Sequence, residues 1–314
     1  MTAAAEVLAT DLAGIALCNP VLLAAGTCGT LDEMSDVLDL SRIGGVVSKS
    51  ITPLPREGNP TWRILPARAG MLNAIGLANP GIDAFESHYL PRAEKMPCAV
   101  ICSVAGFGIE DYVQVAAVLD EWNERGVAAI ELNISCPNVK TGTEFGMSPA
   151  LTGEVVRAVR PVVKGAALFV KLSPVAPELP IIARAAIEAG VDALTISNTI
   201  PAMAIDVHTR TPRLANVTGG LSGPALHPVA VRLVHEVYRK IARDAGVPII
   251  GAGGVTRWED AAEFVLAGAT AVQIGAALFA DPRMPLAVVR GLEKWVRAQG
   301  CASIRELVGA VKVD

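Results

Sequence analysis

The sequence is poor in the residues on which protein metal sites depend. Its 314 residues include only four histidines, and its six cysteines are scattered along the chain without a Cys-x-x-Cys pair. Structural zinc sites and iron–sulfur clusters need several closely spaced thiolate or imidazole ligands. We therefore expect no metal site, and no iron–sulfur cluster held by this chain alone.

Long apolar runs are also absent. Runs such as 165–170 and 247–252 are far shorter than the roughly 20 residues of a membrane-spanning helix. The N-terminus has no basic segment followed by an apolar one, which predicts no signal peptide. Free thiols in a chain without a signal peptide are typical of the cytoplasm. The sequence therefore predicts a cytoplasmic protein that is not attached to a membrane.

Clusters of positive charge are missing as well. The net charge is −4, and no group of Lys and Arg residues stands out, which argues against a nucleic-acid partner. Apolar residues, in contrast, are abundant: 52% of the chain is hydrophobic and the mean hydropathy is +0.44. A chain of this size and composition can bury the core of one large α/β domain or of two smaller ones.

Eight short apolar segments alternate with amphipathic segments. The predicted strands are 21–25, 45–50, 98–104, 128–134, 167–173, 193–198, 247–252 and 271–275. The predicted helices are 31–40, 83–95, 111–124, 149–163, 178–189, 228–245, 257–267 and 285–298. Strands that are apolar throughout indicate burial on both faces, as in a parallel sheet covered by helices.

Eight β-then-α units in a chain of this length predict an α/β fold of the (β/α)8 TIM-barrel class. No linker or internal repeat divides the sequence, so we expect a single domain over residues 1–314. An open, doubly wound parallel sheet is the alternative architecture for the same alternation.

Nearly every predicted strand ends in polar residues or glycines, which stand in its last residues or just after it. In a barrel these strand ends meet on one face, where the active site of such proteins lies. One polar residue after a strand is an ordinary solvated loop residue, but a full set indicates a site. The set comprises Lys49, Ser50, Ser103, Asn133, Cys136, Lys171, Ser197, Asn198, Thr199, Gly253, Gly254 and Gly275.

Cys136 follows the fourth predicted strand within Ser135-Cys136-Pro137-Asn138. Pro137 restrains the preceding residue to an extended conformation, which largely sets the direction of the thiol. Asn133 and Asn138 can hydrogen-bond a ligand beside it. Cys136 is therefore a candidate nucleophile or proton acceptor. The alternative is a buried cysteine that only fills space.

Three glycine-rich stretches, 218–223, 251–254 and 273–276, indicate a bound phosphate. Bare glycine backbone lets amide groups approach an anion, and barrels commonly hold a phosphate after strands seven and eight. Glycines that only form tight turns are the alternative. Lys171 lies inside an apolar strand and should be paired or face an anion, and Glu131, also within a strand, should have a partner. A flavin with its phosphate would satisfy both Lys171 and the glycine turns.

Six motifs, in this order, resemble the FMN-dependent dihydroorotate dehydrogenases over about residues 10–285. They are MLNAIGLANPG at 71–81, LNISCPNVK at 132–140, VKLSP at 170–174, SNT at 197–199, LANVTGGLSGP at 214–224 and IIGAGGV at 249–255. Cysteine at position 136 resembles class 1 of the family. The 73–81 segment is most similar to class 1B, whose catalytic subunit works with a second subunit that carries FAD and a [2Fe–2S] cluster and passes electrons to NAD.

The resemblance implies a reaction in de novo pyrimidine (UMP) biosynthesis. Cys136 would remove the C5 proton of dihydroorotate while a hydride leaves C6 for the flavin, giving orotate. The implied substrate residues are Lys49, Asn73, Ala74, Ile75, Gly76, Leu77, Asn133, Asn138, Asn198 and Thr199. The implied FMN residues, for one FMN per chain, are Ala25, Lys49, Ser50, Ser103, Asn133, Lys171, Ser197, Gly223, Gly253, Gly254, Gly275 and Ala276. The implied assembly is a homodimer with the electron-transfer subunit.

Three of the implied FMN positions depart from the family pattern. Ser103 replaces a usual asparagine, Ala25 a common serine and Ala276 a common threonine. Each change removes or shortens one hydrogen bond, worth about 0.5–1.5 kcal/mol, and so predicts weaker FMN binding. The 141–146 loop is also one residue shorter than in many relatives.

Three other functions remain open from the sequence. One is a flavin enzyme similar to the dihydropyrimidine dehydrogenases, which share the cysteine loop. Another is a fumarate-using homodimer of class 1A. The third is a non-redox barrel that binds sugar phosphates, which would not need Cys136.

Overall fold

A computed structural model describes residues 7–135 and 145–313. Eight parallel strands form a closed barrel in which sequence neighbours pair and the last strand pairs with the first. The predicted (β/α)8 barrel is confirmed, and the open doubly wound alternative is wrong. The strands are β1 (Val21–Leu23), β2 (Gly45–Val47), β3 (Ala99–Val104), β4 (Val127–Asn133), β5 (Ala167–Leu172), β6 (Ala193–Ile196), β7 (Ile249–Ala252) and β8 (Ala269–Ile274).

Helices surround the barrel and connect its strands. The α-helices are Ile82–His88, Leu90–Ala93, Ile109–Asp120, Pro149–Val159, Leu179–Glu188, His227–Val237, Arg243–Ala245, Trp258–Ala267 and Met284–Ala298. Short 3₁₀ helices occupy Glu33–Asp36, Leu40–Arg42, Asn123–Arg125, Phe145–Met147, Arg160–Val162, Pro224–Leu226, Ala276–Phe279 and Ile304–Leu307, and Tyr238–Ala242 is a π-helix. No helix among the described residues has the length and apolar character needed to cross a membrane.

The predicted helix over 31–40 is wrong, because this segment forms two separate 3₁₀ turns. The Glu33 carboxylate accepts hydrogen bonds from the backbone N–H groups of Thr30 and Leu31. The Asp39 carboxylate likewise accepts one from the backbone of Ser41, at 3.1 Å. Such local side-chain bonds to the backbone compete with the α-helical pattern.

The barrel interior consists of two layers of different character. The lower layer takes one apolar side chain from each strand, and a hairpin of Thr10–Leu12 and Ile15–Leu17 covers it with Leu12 and Leu17. Because side chains two residues apart on a strand share a face, a second layer lies two residues further along. The lower layer is Leu22, Val47, Ile101, Ala129, Phe169, Ala193, Ile250 and Ala271. The upper layer is Ala24, Lys49, Ser103, Glu131, Lys171, Thr195, Ala252 and Gln273.

A second sheet, absent from the sequence prediction, is built from the segments that follow β2 and β6. Its four antiparallel strands lie in the order Ile200–Met203, Thr218–Ser222, Gly70–Asn73 and Ile64–Ala67. The glycine stretch 218–223, predicted to be a turn, is therefore mostly a strand. A Cβ atom at Gly220 would overlap the Thr199 side chain, so glycine at this position allows a close approach. A small hairpin of Ile205–Asp206 and Thr211–Pro212 extends the same region.

Candidate active site

A cavity of about 830 Å³ lies at the C-terminal ends of the barrel strands, bordered by the second sheet. Most of the residues that the sequence singled out line it. The predicted FMN residues in its wall are Ala25, Lys49, Ser50, Asn133, Lys171, Ser197, Gly223, Gly253, Gly254, Gly275 and Ala276. The predicted substrate residues in its wall are Lys49, Asn73, Ile75, Gly76, Leu77, Asn133, Asn198 and Thr199.

Two predicted residues lie behind the cavity wall. Ser103 and Ala74 are both fully buried. The Ser103 hydroxyl is 2.8 Å from the hydroxyl of Ser50, which also accepts a hydrogen bond from Asn133 Nδ2 at 3.0 Å. Ser103 therefore contacts the cavity through Ser50 and Asn133, both of which do line it. The sequence predicted Ser103 as an FMN residue with a shortened contact, but not this indirect arrangement.

Amide side chains are connected on the wall formed by β4 and β6. Asn198 Nδ2 donates to Asn133 Oδ1 at 3.3 Å and to the Ser135 hydroxyl at 3.0 Å, while Asn198 Oδ1 accepts from the backbone N–H of Thr199. The orientations of both amides are thereby fixed in the cavity wall. Cys136 and Asn138, which follow directly in the chain, lie outside the described residues.

Another part of the wall is the segment from Asn73 to Leu77. The backbone N–H of Ala74 donates to the Arg63 carbonyl at 2.8 Å, and Asn59 Nδ2 donates to the Ala74 carbonyl at 2.9 Å. Asn73 Nδ2 donates to the carbonyl of Gly220 in the adjacent strand, at 3.4 Å. These bonds hold the segment on the second sheet, where its side chains and backbone border the cavity.

Lys49 contributes a positive charge at the cavity wall. Partial burial lowers the pKa of the Lys49 ammonium, and the positive charge of Arg63 lowers it further, although Glu33 opposes the shift. A cation that is partly desolvated beside a second cation gains from a bound anion. This part of the cavity is therefore suited to a carboxylate or phosphate ligand.

The glycine turns after β6 and β7 are packed against each other. Gly254 has φ +69°, and a Cβ atom there would lie 2.7 Å from the Gly223 carbonyl oxygen and 2.7 Å from His227 Cβ. His227 reinforces this contact, because its Nδ1 is 3.0 Å from the Gly253 carbonyl oxygen. The close approach leaves bare backbone facing the cavity, which fits a phosphate group.

A chain of hydrogen bonds crosses the upper layer beneath the cavity. Lys171 Nζ donates to Gln273 Oε1 at 3.2 Å, and Gln273 Nε2 donates to Glu131 Oε2 at 2.9 Å. The Thr195 hydroxyl donates to the same oxygen at 2.6 Å. Thr195 and Gln273 are thus the partners that the sequence required for Glu131 but did not identify.

Several residues of the cavity wall were not predicted. Met71 and Ser222 belong to the second sheet, and Phe279 and Met284 follow β8. The alternation in 70–73 is too short to have indicated a strand without its long-range partner. Among the described residues, no group of three or more His, Cys, Asp or Glu side chains is arranged to bind a metal ion.

The fold and the site together define a class of protein. A (β/α)8 barrel with a deep cavity over the C-terminal strand ends, lined by lysines, amides and glycine turns, has the architecture of barrel enzymes. The family model described as dihydroorotate dehydrogenase matches residues 7–296. The chain therefore belongs to the dihydroorotate dehydrogenase family.

Similar proteins cover nearly the whole chain. A protein from Bacteroides thetaiotaomicron is 44% identical over 98% of this chain and 99% of its own length. Proteins from Pelobacter propionicus, at 46% identity, and Geotalea uraniireducens, at 47%, cover 96% and 97% of this chain and 97% and 98% of their own lengths. All three are named dihydroorotate dehydrogenase B (NAD(+)), catalytic subunit.

Proposed function

We propose that this chain oxidises dihydroorotate to orotate in pyrimidine biosynthesis, as the FMN-dependent catalytic subunit of a NAD-linked dihydroorotate dehydrogenase. The observation that carries the proposal is the convergence, in one cavity, of Lys49, the Asn133–Asn198 amides, Lys171 and the paired glycine turns. Family membership and the printed names of the relatives support the same reaction.

The residues in the cavity fit an FMN molecule. Gly223, Gly253 and Gly254, with the turn Gly275–Ala276, would hold the phosphate, because their backbone leaves room for an anion. Lys171 at the cavity floor would lie at the pyrimidine end of the flavin ring. FMN, when bound, supplies a hydride acceptor. Lys171 would favour that acceptance by stabilising negative charge on the reduced ring.

The remaining polar groups suit a small pyrimidine acid. Lys49 would bind its carboxylate, which restores a counter-charge to a partly buried ammonium group. Asn73, Asn133 and Asn198 offer both donors and acceptors, as the imide edges of a pyrimidine ring require. The hydrogen bonds among Asn133, Asn198 and Ser135 hold two of these amides in place before the substrate arrives.

Cys136 would act as the base. Its thiolate would take the proton from C5 of dihydroorotate, and FMN, when bound, would supply the acceptor for the hydride from C6, which would leave orotate. An ordinary cysteine pKa is about 8.5, so only a minority of the thiol is ionised at neutral pH. The rate of flavin reduction should therefore rise with pH as the thiol ionises.

We also propose a homodimer and a second subunit with FAD and a [2Fe–2S] cluster as the route of electrons to NAD. In the relatives, the words "catalytic subunit" and "NAD(+)" are part of the printed name. For the dimer contact we propose the hairpin of Ile205–Asp206 and Thr211–Pro212, which exposes Ile205 and Val207, the latter by 76%. Val207→Asp should shift sedimentation toward monomer, whereas Leu54→Asp, at an equally exposed residue, should not.

Anaerobic stopped-flow absorbance tests the proposed reaction. We expect the flavin absorbance of the FMN-loaded chain to bleach on mixing with dihydroorotate. NAD should then reoxidise the flavin only when the second subunit is present. Reoxidation by fumarate without that subunit would contradict the NAD-linked assignment. A flavin that dihydroorotate does not bleach would contradict the proposed substrate.

A further inference from the structure

We propose that Glu131 is the buried counter-ion of Lys171 and that, acting through Gln273, it sets the charge that the cavity floor presents to the flavin. Glu131 is thus a positioning residue, because it lies behind the wall that the ligand touches. This inference rests on the proposed function for its redox consequence. The charge pairing itself rests only on the described structure.

Both charged groups are buried. Glu131 is fully buried and Lys171 is 7% exposed, while the amide between them, Gln273, is 1% exposed. Transfer of an isolated ion into a protein interior is so costly that buried charges are normally paired. The hydrogen bonds that start at Glu131 Oε2 lead through Gln273 to Lys171, while the buried Glu131 Oε1 has no hydrogen-bond partner among the described residues. With Glu131 ionised and Lys171 protonated, the connected group has no net charge.

The carboxylate determines which way the Gln273 amide faces. A carboxylate only accepts hydrogen bonds, so Gln273 must present its NH₂ group to Glu131 and its carbonyl oxygen to Lys171. An ammonium group only donates, and it requires the same orientation from its side. Gln273 therefore has one satisfactory orientation, and Glu131 and Lys171 both enforce it.

The cavity exposes only part of this group. Lys171 and Gln273 line the cavity, whereas Glu131 lies one step behind them. A flavin that gains negative charge on reduction is stabilised by Lys171 and opposed by Glu131. Because the two charges offset each other, the floor favours the reduced flavin less than a lone lysine would.

Redox titration of the bound flavin tests this role. At a fixed solution potential, Glu131→Gln should raise the ratio of reduced to oxidised flavin on the order of tenfold, because it removes a buried negative charge. Glu131→Gln combined with Gln273→Glu should lower the ratio below that of the unmodified chain, because the carboxylate then lies in the cavity wall beside Lys171. Thr195→Val removes a hydrogen bond but no charge and should change the ratio much less. An unchanged ratio in both charge variants would overturn the redox role.

Thermal unfolding of the flavin-free chain tests the pairing separately. Glu131→Gln should lower the melting temperature, because Lys171 is left as an unpaired buried charge. Adding Lys171→Met should recover most of the loss, and it should also yield folded protein if Glu131→Gln alone fails to fold. Strictly additive changes would overturn the counter-ion assignment. If this recovery is seen but the unmodified chain takes up no flavin, the pairing stands, whereas the proposed function and the redox role are contradicted.

Discussion

The lower and upper layers of the barrel interior are made by the same eight strands, yet the lower layer is wholly apolar and the upper layer is mostly polar or charged. In β5, Phe169 belongs to the apolar lower layer and Lys171, two residues on, to the upper layer. In β4, Ala129 and Glu131 are related in the same way. Two residues along a strand thus separate the packed apolar core from a hydrogen-bonded layer with charged groups below the cavity.

The upper layer is where the fold gives up local stability for function. Apolar side chains in the lower layer gain from burial with no polar group to satisfy. The upper layer buries Ser103, Glu131, Lys171, Thr195 and Gln273, whose polar groups need specific partners. Such a departure from simple core packing is expected at a functional site.

The largest expected effect comes from Cys136, which follows β4 in the sequence. Cys136→Ser replaces the proposed base by a much weaker one and should slow flavin reduction by about 10²–10⁴-fold near neutral pH, while FMN stays bound. Stopped-flow absorbance with dihydroorotate measures the rate. Cys18→Ser, at an exposed thiol preceding β1, is the control and should leave the rate unchanged. Equal rates in the two variants would contradict the role of Cys136.

A large but different effect is expected in the lower layer. Phe169→Ala should lower the free energy of unfolding by about 3–5 kcal/mol, because it removes a fully buried ring and leaves a cavity. Urea unfolding followed by circular dichroism measures the loss. FMN affinity under conditions where the chain is folded should change little. A strong loss of affinity in folded protein would show that the two layers are not functionally separate.

Lys49→Met should make the fold slightly more stable, whereas it should weaken substrate binding. The folded-state pKa of Lys49 is lowered, so the protonated group destabilises the fold at neutral pH, and this cost disappears as pH rises toward 10.5. The variant should therefore be slightly more stable at pH 7, by less than about 1 kcal/mol because the group is half-buried. The advantage should shrink near pH 10.

The same substitution, Lys49→Met, should weaken substrate binding. Without Lys49, orotate affinity should fall by at least about tenfold, as expected for a charge-assisted hydrogen bond. Isothermal titration with orotate measures the affinity. Unchanged affinity would remove Lys49 from the proposed carboxylate site.

The smallest effects come from neighbouring residues of β3. Ser103→Ala removes one of the two hydrogen-bond partners of Ser50, the other being Asn133, and should weaken FMN binding by about 2–10-fold, corresponding to one hydrogen bond of about 0.5–1.5 kcal/mol. Ile101→Val, in the lower layer of the same strand, should cost a similar free energy of unfolding with no change in FMN affinity. Flavin fluorescence titration and urea unfolding distinguish the two. If Ser103→Ala and Ile101→Val both weaken FMN binding, the two layers do not have separate roles.

Much of the fold could be predicted because its signals are local. All eight barrel strands coincide with apolar runs, since parallel strands are buried on both faces. The second sheet was missed because its strands are only partly buried and so are not apolar throughout, and because they pair with segments far apart in the sequence, such as 218–222 with 70–73. The 31–40 helix was wrong because carboxylates of Glu33 and Asp39 bond the backbone instead.

The sequence indicated which residues line the cavity better than it indicated how they contact one another. Strand ends converge in any barrel, so the polar residues that follow them line the cavity. The sequence could not show that Ser103 lies behind Ser50, or that Gln273 joins Lys171 to Glu131, because these contacts connect different strands. The roles of Cys136 and Asn138 remain predictions, since both lie outside the described residues.

The most direct test of the account is a crystal structure of the chain with FMN and orotate bound. We expect the FMN phosphate at Gly223 and at the glycine turns after β7 and β8, and the flavin ring beside Lys171. Orotate should lie between the ring and the 73–77 segment, with its carboxylate at Lys49 and its C5 atom within reach of Cys136. A flavin bound away from Lys171, or an orotate whose C5 atom faces away from Cys136, would contradict the account.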